Sequence, residues 1–241
     1  MKRKKLRTIG VLGGMGPEAG AHFLEVIIRE TAAGRDQDHP PVILYSLPQV
    51  PDRTEAILHG GPSPVPAMRR GLRVLAAAGA DFAVVTCISA HYFHPSVSAT
   101  SPIPVINLID ETAAAIQRLR PRPRTVGLLA TSGTVRSGVV AKAFAAAGIA
   151  VVVPSAADQR RVMTAIYGKR GVKAGFTAGP SRRSLAAIAK RLIGRGAQAI
   201  VAGCTEVPLV LCQSDLLVPL IDPLTVGARA VIRLSGARLR S

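Results

Sequence analysis

Gly79-Ala80-Asp81-Phe82-Ala83-Val84-Val85-Thr86-Cys87 is echoed by Gly196-Ala197-Gln198-Ala199-Ile200-Val201-Ala202-Gly203-Cys204, displaced by 117 residues. A second pair, Thr8-Ile9-Gly10-Val11-Leu12 and Thr125-Val126-Gly127-Leu128-Leu129, has the same displacement of 117. Two separate matches at one shift mark an internal repeat. The chain therefore reads as two related halves, with Arg120-Pro121-Arg122-Pro123-Arg124 as the linker between them.

Working outward, short β-branched runs alternate with longer alanine-rich stretches. The runs are Ile9–Leu12, Val42–Tyr45, Phe82–Val85, Val105–Ile106, Val126–Leu129, Val151–Val153, Ala199–Val201 and Leu216–Ile221. Between them lie helix-like segments, among them Ala19–Ala33, Ala67–Ala78, Asp110–Arg120, Ser137–Ala147 and Arg182–Arg195. This alternation predicts an α/β fold of two pseudo-symmetric domains with mainly parallel sheets. The expected division is 1–119 and 120–224, with 225–241 packing back on the first half.

Composition narrows the function. The 241 residues are 48% hydrophobic and 19% charged, which is a globular balance. Lys and Arg number 31 against 14 acids, a net charge of +17. The dense basic run is Lys2-Arg3-Lys4-Lys5 with Arg7. Smaller clusters lie at Arg118–Arg124, Arg160/Arg161, Lys169/Arg170 and Arg182/Arg183. Aromatics are 3% with no Trp, so nucleic-acid bases would find few stacking platforms. The charge reads as a solvated basic surface with a tail, compatible with an anionic small substrate. No specific nucleic-acid partner is expected. No stretch of 18 apolar residues occurs, and Lys142 interrupts the best run, Val139 to Val153, so no membrane span is expected. Gly13, Gly14, Pro17 and Glu18 spoil a signal-peptide core. Three cysteines are an odd number, which points to reduced thiols and a cytoplasmic protein.

The repeat carries chemistry. Cys87 and Cys204 each follow the third strand of their half, at its carboxyl end, where open parallel sheets bind ligands. If a pseudo-twofold axis relates the halves, the two thiols face each other across a cleft. One removes a proton from one face of a bound carbon and the other returns one to the opposite face. That is the chemistry of a cofactor-independent racemase or epimerase. Thiols suit it because an ordinary pKa of ~8.5 is easily tuned. Helix N-termini just after both cysteines are expected to lower it further. Cys212 has no counterpart at the 117-residue shift and reads as a buried small hydrophobe.

The same residues resemble a known family. Ile9-Gly10-Val11-Leu12-Gly13-Gly14-Met15-Gly16-Pro17 is similar to the opening of the aspartate/glutamate racemases. Asp36-Gln37-Asp38-His39-Pro40-Pro41 and Tyr45-Ser46-Leu47-Pro48-Gln49-Val50-Pro51-Asp52-Arg53-Thr54 resemble the aspartate racemase branch. Thr86-Cys87-Ile88-Ser89-Ala90-His91 and Gly203-Cys204-Thr205-Glu206 are similar to its two cysteine motifs. Ile166-Tyr167 with Lys173-Ala174-Gly175 resembles a further segment.

The resemblance implies a homodimer that racemises aspartate or glutamate without pyridoxal, its site lying between two α/β domains. It implies that Cys204 deprotonates the L-enantiomer and Cys87 the D-enantiomer. Arg53 and Lys173 would grip the substrate's side-chain carboxylate, with Gln49 bonded to the same group and Met15 lining the cleft. Glu206 favours the aspartate branch, since glutamate racemases usually carry His there, and it stands with Met15, Ile88, Ser89 and Thr205 among the substrate-binding candidates the resemblance implies. Ile88 departs from the family, which usually has Asn after the first cysteine to hold the α-carboxylate. Ser89, Thr205 and backbone N–H groups then carry that carboxylate, or the substrate is another amino acid or a hydantoin, or the site is a catalytically silent amino-acid sensor.

Cofactor and metal signals are absent from the sequence. Gly13-Gly14-Met15-Gly16 does not space as G-x-G-x-x-G, and no acid follows the second strand. The loop reads instead as a tight turn presenting backbone N–H groups to a carboxylate. No histidine has ligand spacing with the cysteines, and Cys204 and Cys212 match no usual zinc pattern. His91 reads as a satisfied structural histidine.

Overall fold

A computed structural model describes residues 5–240, so Lys2, Arg3 and Lys4 of the basic run lie outside the described residues. In chain order the elements are β1 (Ile9–Gly13), α1 (Pro17–Glu30), β2 (Val42–Ser46), α2 (Arg53–Leu58), α3 (Val65–Ala77), β3 (Phe82–Val85), α4 (His94–Ser98) and β4 (Val105–Ile106). There follow α5 (Leu108–Arg118), β5 (Thr125–Leu129), α6 (Ser132–Ser137), α7 (Val139–Ala146), β6 (Ala150–Val152), α8 (Ala156–Tyr167), α9 (Pro180–Gly194), β7 (Ile200–Ala202), β8 (Leu220–Ile221) and α10 (Pro223–Ser235).

The chain forms two compact units. One contains residues up to Asp52, Pro62–Leu108 and Leu224 onward; the other contains Arg53–Gly61 and Ile109–Pro223. Each holds a four-stranded, all-parallel sheet. The strand orders are β2-β1-β3-β4 and β6-β5-β7-β8, which are the same order by position in the repeat. The fold is α/β, as the alternation of runs implied.

The repeat extends to individual bonds. The Thr8 N–H donates to Asp81 Oδ2 (2.6 Å), and the Thr125 N–H donates to Gln198 Oε1 (3.2 Å). The reverse backbone bonds, Asp81 N–H to the Thr8 carbonyl and Gln198 N–H to the Thr125 carbonyl, are both 2.9 Å. Residues displaced by 117 thus register β1 on β3 and β5 on β7 in the same way. The strand glycines repeat for a packing reason. A Cβ on Gly10 would stand 2.9 Å from Ala80 Cβ and 3.4 Å from Leu75 Cδ1; one on Gly127 would stand 2.9 Å from Leu192 Cβ and 2.7 Å from Ile200 Cδ1. Leu75 and Leu192 are themselves 117 apart. In the second unit α9 lies so close to the first strand that glycine is needed there, whereas in the first the crowding at Gly10 comes from Ala80 and from the Phe82 carbonyl at 3.1 Å.

Two elements differ from expectation. Of Leu216–Ile221 only Leu220–Ile221 joins the sheet. Pro219 has no N–H to give and contributes only its carbonyl, to the Ile200 N–H at 2.9 Å, while Leu217 is 99% exposed. The helix expected over Ser137–Ala147 begins at Val139, because Gly138 takes φ +67° and ends the separate short helix α6.

Candidate active site

In the first unit Cys87 follows β3 by two residues. It is buried in an apolar cluster that also holds Met15, Leu12, Val50 and Val85. Ile88 and Ser89 continue from it into a 3-10 turn over Ser89–Phe93, and both are buried. The glycine loop after β1 turns where Gly14 adopts φ +93°; a Cβ there would lie 2.4 Å from Leu47 backbone atoms, so glycine is required. Leu47 N–H in turn bonds the Gly13 carbonyl at 3.2 Å. This pins the turn carrying Gln49, an exposed residue, against the loop carrying Met15.

His91 fixes the Cys87 loop from behind. Its Nε2 accepts from the Leu108 N–H at 3.0 Å, which leaves the proton on Nδ1, donated to the Cys87 carbonyl at 2.8 Å. The ring stacks on His94 with centroids 5.8 Å apart. Burial, with the neighbouring His94 charge, lowers the His91 pKa to about 4. His91 is therefore a neutral strut with both nitrogens satisfied.

In the second unit Cys204 follows β7 by two residues and is buried among Ile166, Val172 and Val207. Its thiol donates to Glu206 Oε2 at 2.8 Å. The Thr205 hydroxyl donates to the same oxygen at 3.4 Å. The other oxygen, Oε1, takes an ion pair from Lys173 Nζ, and that ammonium lies 5.5 Å from the Tyr167 ring centroid. Glu206 and Thr205 are buried, while the Lys173 side chain retains 23% exposure. Cys204, Thr205, Glu206 and Lys173 thus form one hydrogen-bonded group. Arg53 opens α2 and is buried. That helix packs tightly on α6, since a Cβ on Gly133 would stand 2.9 Å from Thr54 Oγ1.

The structure corrects two expectations. Cys212 is exposed rather than buried, because it begins a 3-10 turn at the surface, its N–H donating to Asp215 Oδ2 at 2.9 Å. No α-helix N-terminus directly follows either cysteine; 3-10 turns over Ser89–Phe93 and Val207–Leu209 do. Burial, together with the Glu206 carboxylate, pushes the Cys204 thiol well above its ordinary pKa, and Lys173 only partly offsets this. This is opposite to the direction a helix dipole implies. The sequence reading places Glu206 against the substrate, and its bond to Cys204 is a finding of the structure. The two-residue spacing was the available signal, as an acid two positions after a thiol in a tight turn can reach it. The contact of Tyr167 with Lys173 is likewise a finding of the structure, and its sequence clue is the shared segment from Ile166 to Gly175.

Elsewhere basic residues serve the scaffold. Arg182 forks onto Asp215, with its Nη2 to Oδ1 at 3.0 Å, and Arg191 onto Asp158, with its Nη2 to Oδ1 at 2.7 Å. Among the described residues no group of three His, Cys, Asp or Glu could hold a metal ion. No described helix is long and apolar enough to cross a membrane.

Comparison with known proteins agrees with this architecture. A family model described as Asp/Glu/hydantoin racemase matches residues 12–231. The solved structure of an aspartate racemase from Picrophilus torridus superposes with a TM-score of 0.86 at 31% identity, over 97% of this chain and 96% of that one. The broad specificity amino-acid racemase RacX of Bacillus subtilis is 24% identical over 93% of this chain and 96% of its own length. A glutamate racemase from Francisella tularensis shares the fold, with a TM-score of 0.66 at 19% identity over 96% of this chain and 81% of that one. With the match running through both repeats and both cysteine motifs, the chain belongs to the Asp/Glu/hydantoin racemase family and is an amino-acid racemase.

Proposed function

We propose that this protein interconverts L- and D-aspartate, with glutamate as the related substrate, by two-base proton transfer without pyridoxal. Cys204 and Cys87 are the bases, the first removing the α-proton of the L-enantiomer and the second that of the D-enantiomer. Each turnover needs one thiolate and one thiol. The thiolate takes the Cα proton, the electron pair spreads into the substrate carboxylate, and the other thiol gives its proton to the opposite face. The observation that carries this reading is the repeat: the two cysteines occupy equivalent places, two residues beyond the third strand of each sheet.

Arg53 and Lys173 supply the positive charge for a second carboxylate, with Gln49 bonded to the same group. Met15, Ile88, Ser89 and Thr205 hold the α-carbon end, and the Gly13–Gly16 loop offers backbone N–H groups. The protein works as a homodimer in the cytoplasm. Ile88, where the family usually has Asn, favours a second reading in which another amino acid is the substrate. The broad specificity of the Bacillus subtilis relative supports that alternative.

The test is proton NMR in D₂O with L-aspartate and no added pyridoxal, beside Cys87→Ala and Cys204→Ala. Loss of the Cα–H signal with racemisation, abolished in both variants, is the expected result. Activity that survives either substitution refutes the two-thiol mechanism. Silence with aspartate and glutamate but turnover of a neutral amino acid or a hydantoin moves the substrate to the second reading.

A further inference from the structure

Glu206 divides its carboxylate among three partners. Oε1 faces the Lys173 ammonium, and Oε2 accepts the Cys204 thiol at 2.8 Å and the Thr205 hydroxyl at 3.4 Å. Glu206 is only 4% exposed and Cys204 6%. Ionising a lone thiol at such depth is costly, since nothing replaces the lost hydration. Passing its proton to a bonded carboxylate is different. The pair carries one negative charge before and after, so burial penalises neither form over the other by a whole charge. What sets the position of the proton is the cation on the far oxygen. While Lys173 is paired with Oε1 it stabilises the ionised carboxylate and leaves the proton on sulfur.

We propose that Glu206 is the proton acceptor of Cys204, taking the Sγ proton at Oε2 when an anionic group of the substrate draws Lys173 away from Oε1 and releasing it when the substrate leaves and Lys173 pairs with Oε1 again. The step is balanced within the pair: the S–H bond breaks, an O–H bond forms on Oε2, and the sulfur keeps the electron pair as a thiolate. After an L-to-D turnover the sulfur holds the substrate's α-proton, so the Oε2 proton passes to solvent and Cys87 regains one from solvent; water is the one other reactant. Glu206 acts through Cys204 and is a positioning residue rather than a substrate ligand. This inference rests on the proposed role of Cys204 as a base and of Lys173 as a carboxylate anchor. It adds that an anionic substrate creates its own base on arrival, so that the buried thiolate exists only when there is something to deprotonate.

The experiment uses the full chain with Glu206→Gln, which keeps the shape and an acceptor oxygen but cannot take a proton. Two quantities are read together: racemisation, and the pH dependence of Cys204 alkylation by iodoacetamide, followed by peptide mass spectrometry. Without the Glu206 charge, Lys173 faces the sulfur uncompensated. The alkylation midpoint of Cys204 is expected to fall by about one pH unit, giving about tenfold faster labelling at neutral pH. Racemisation is nevertheless expected to fall by ~100-fold or more, as for a lost proton-transfer group. More thiolate with less turnover is a combination that a merely structural role does not produce. Glu206→Asp, which restores a proton acceptor, is expected to recover part of the racemisation and serves where Gln impairs folding.

Racemisation within a few-fold of wild type in Glu206→Gln, or slower alkylation of Cys204, overturns the proposal and leaves the two-thiol reading standing. Wild-type protein that racemises neither aspartate nor glutamate overturns the reading beneath it, while the alkylation shift still reports the coupling of Glu206 to the thiol.

Discussion

The neutral strut behind Cys87 makes a quantitative prediction. His91 is 3% exposed, donates from Nδ1 to the Cys87 carbonyl and accepts at Nε2 from Leu108. Protonation would place a second N–H against the Leu108 N–H in a buried site beside His94. Its pKa therefore falls from 6.5 to about 4 in the folded protein. The unfolded chain, with an ordinary histidine, binds the proton first as pH drops. Folded-state stability is thus at its full value above pH 6.5 and declines as pH falls towards 4. The drop of about 2.5 pKa units corresponds to about 3 kcal/mol in all, of which about 2 kcal/mol is lost by pH 5.

The assay is urea unfolding at about pH 8 and pH 5, for wild type and His91→Gln. The variant cannot titrate at this position. It is expected to be less stable at pH 8 by about 1–3 kcal/mol, because the Cys87 carbonyl or the Leu108 N–H loses a well-aligned partner. Between the two pH values, however, it should lose about 2 kcal/mol less than wild type. A histidine C2–H titration by NMR gives the same quantity directly, with one ring staying neutral to about pH 4. Parallel pH profiles for the two proteins, or no histidine titrating below the ordinary range, would refute this account of the strut.

Other expectations are more local. Gly127→Ala brings a methyl group 2.7 Å from Ile200 Cδ1 and 2.9 Å from Leu192 Cβ, and should cost about 1–3 kcal/mol by thermal unfolding. Gly194→Ala, in α9 with nothing within 4 Å of the added Cβ, should instead stabilise by about 0.5–1 kcal/mol. Ser155 caps α8 by accepting the Asp158 N–H at 3.2 Å, so Ser155→Ala should lower stability by about 1 kcal/mol in a denaturant titration. Brief iodoacetamide treatment near pH 8 should label the exposed Cys212 before Cys204, whose thiol is buried and held protonated; peptide mass spectrometry reads the order.

Much of this protein was legible in the chain itself. The 117-residue shift, carried by Thr8/Thr125, Gly10/Gly127 and Cys87/Cys204, determined two α/β halves with like strand orders, because repeated sequence must satisfy repeated packing. It also determined that each cysteine follows a third strand, since strand ends are marked by local pattern. Boundaries within irregular segments were less legible: Pro219 and Gly138 each shortened an expected element through its own backbone restriction. What only the tertiary structure decided was the partner of each polar group. Burial of Cys204 and its bond to Glu206 reversed the direction expected for its proton affinity, and Cys212 proved exposed. Lys173 meets Glu206 across 33 residues of sequence, and His91 meets Leu108 across 17. Such pairings depend on where separate segments come to rest, and short-range periodicity carries no record of that.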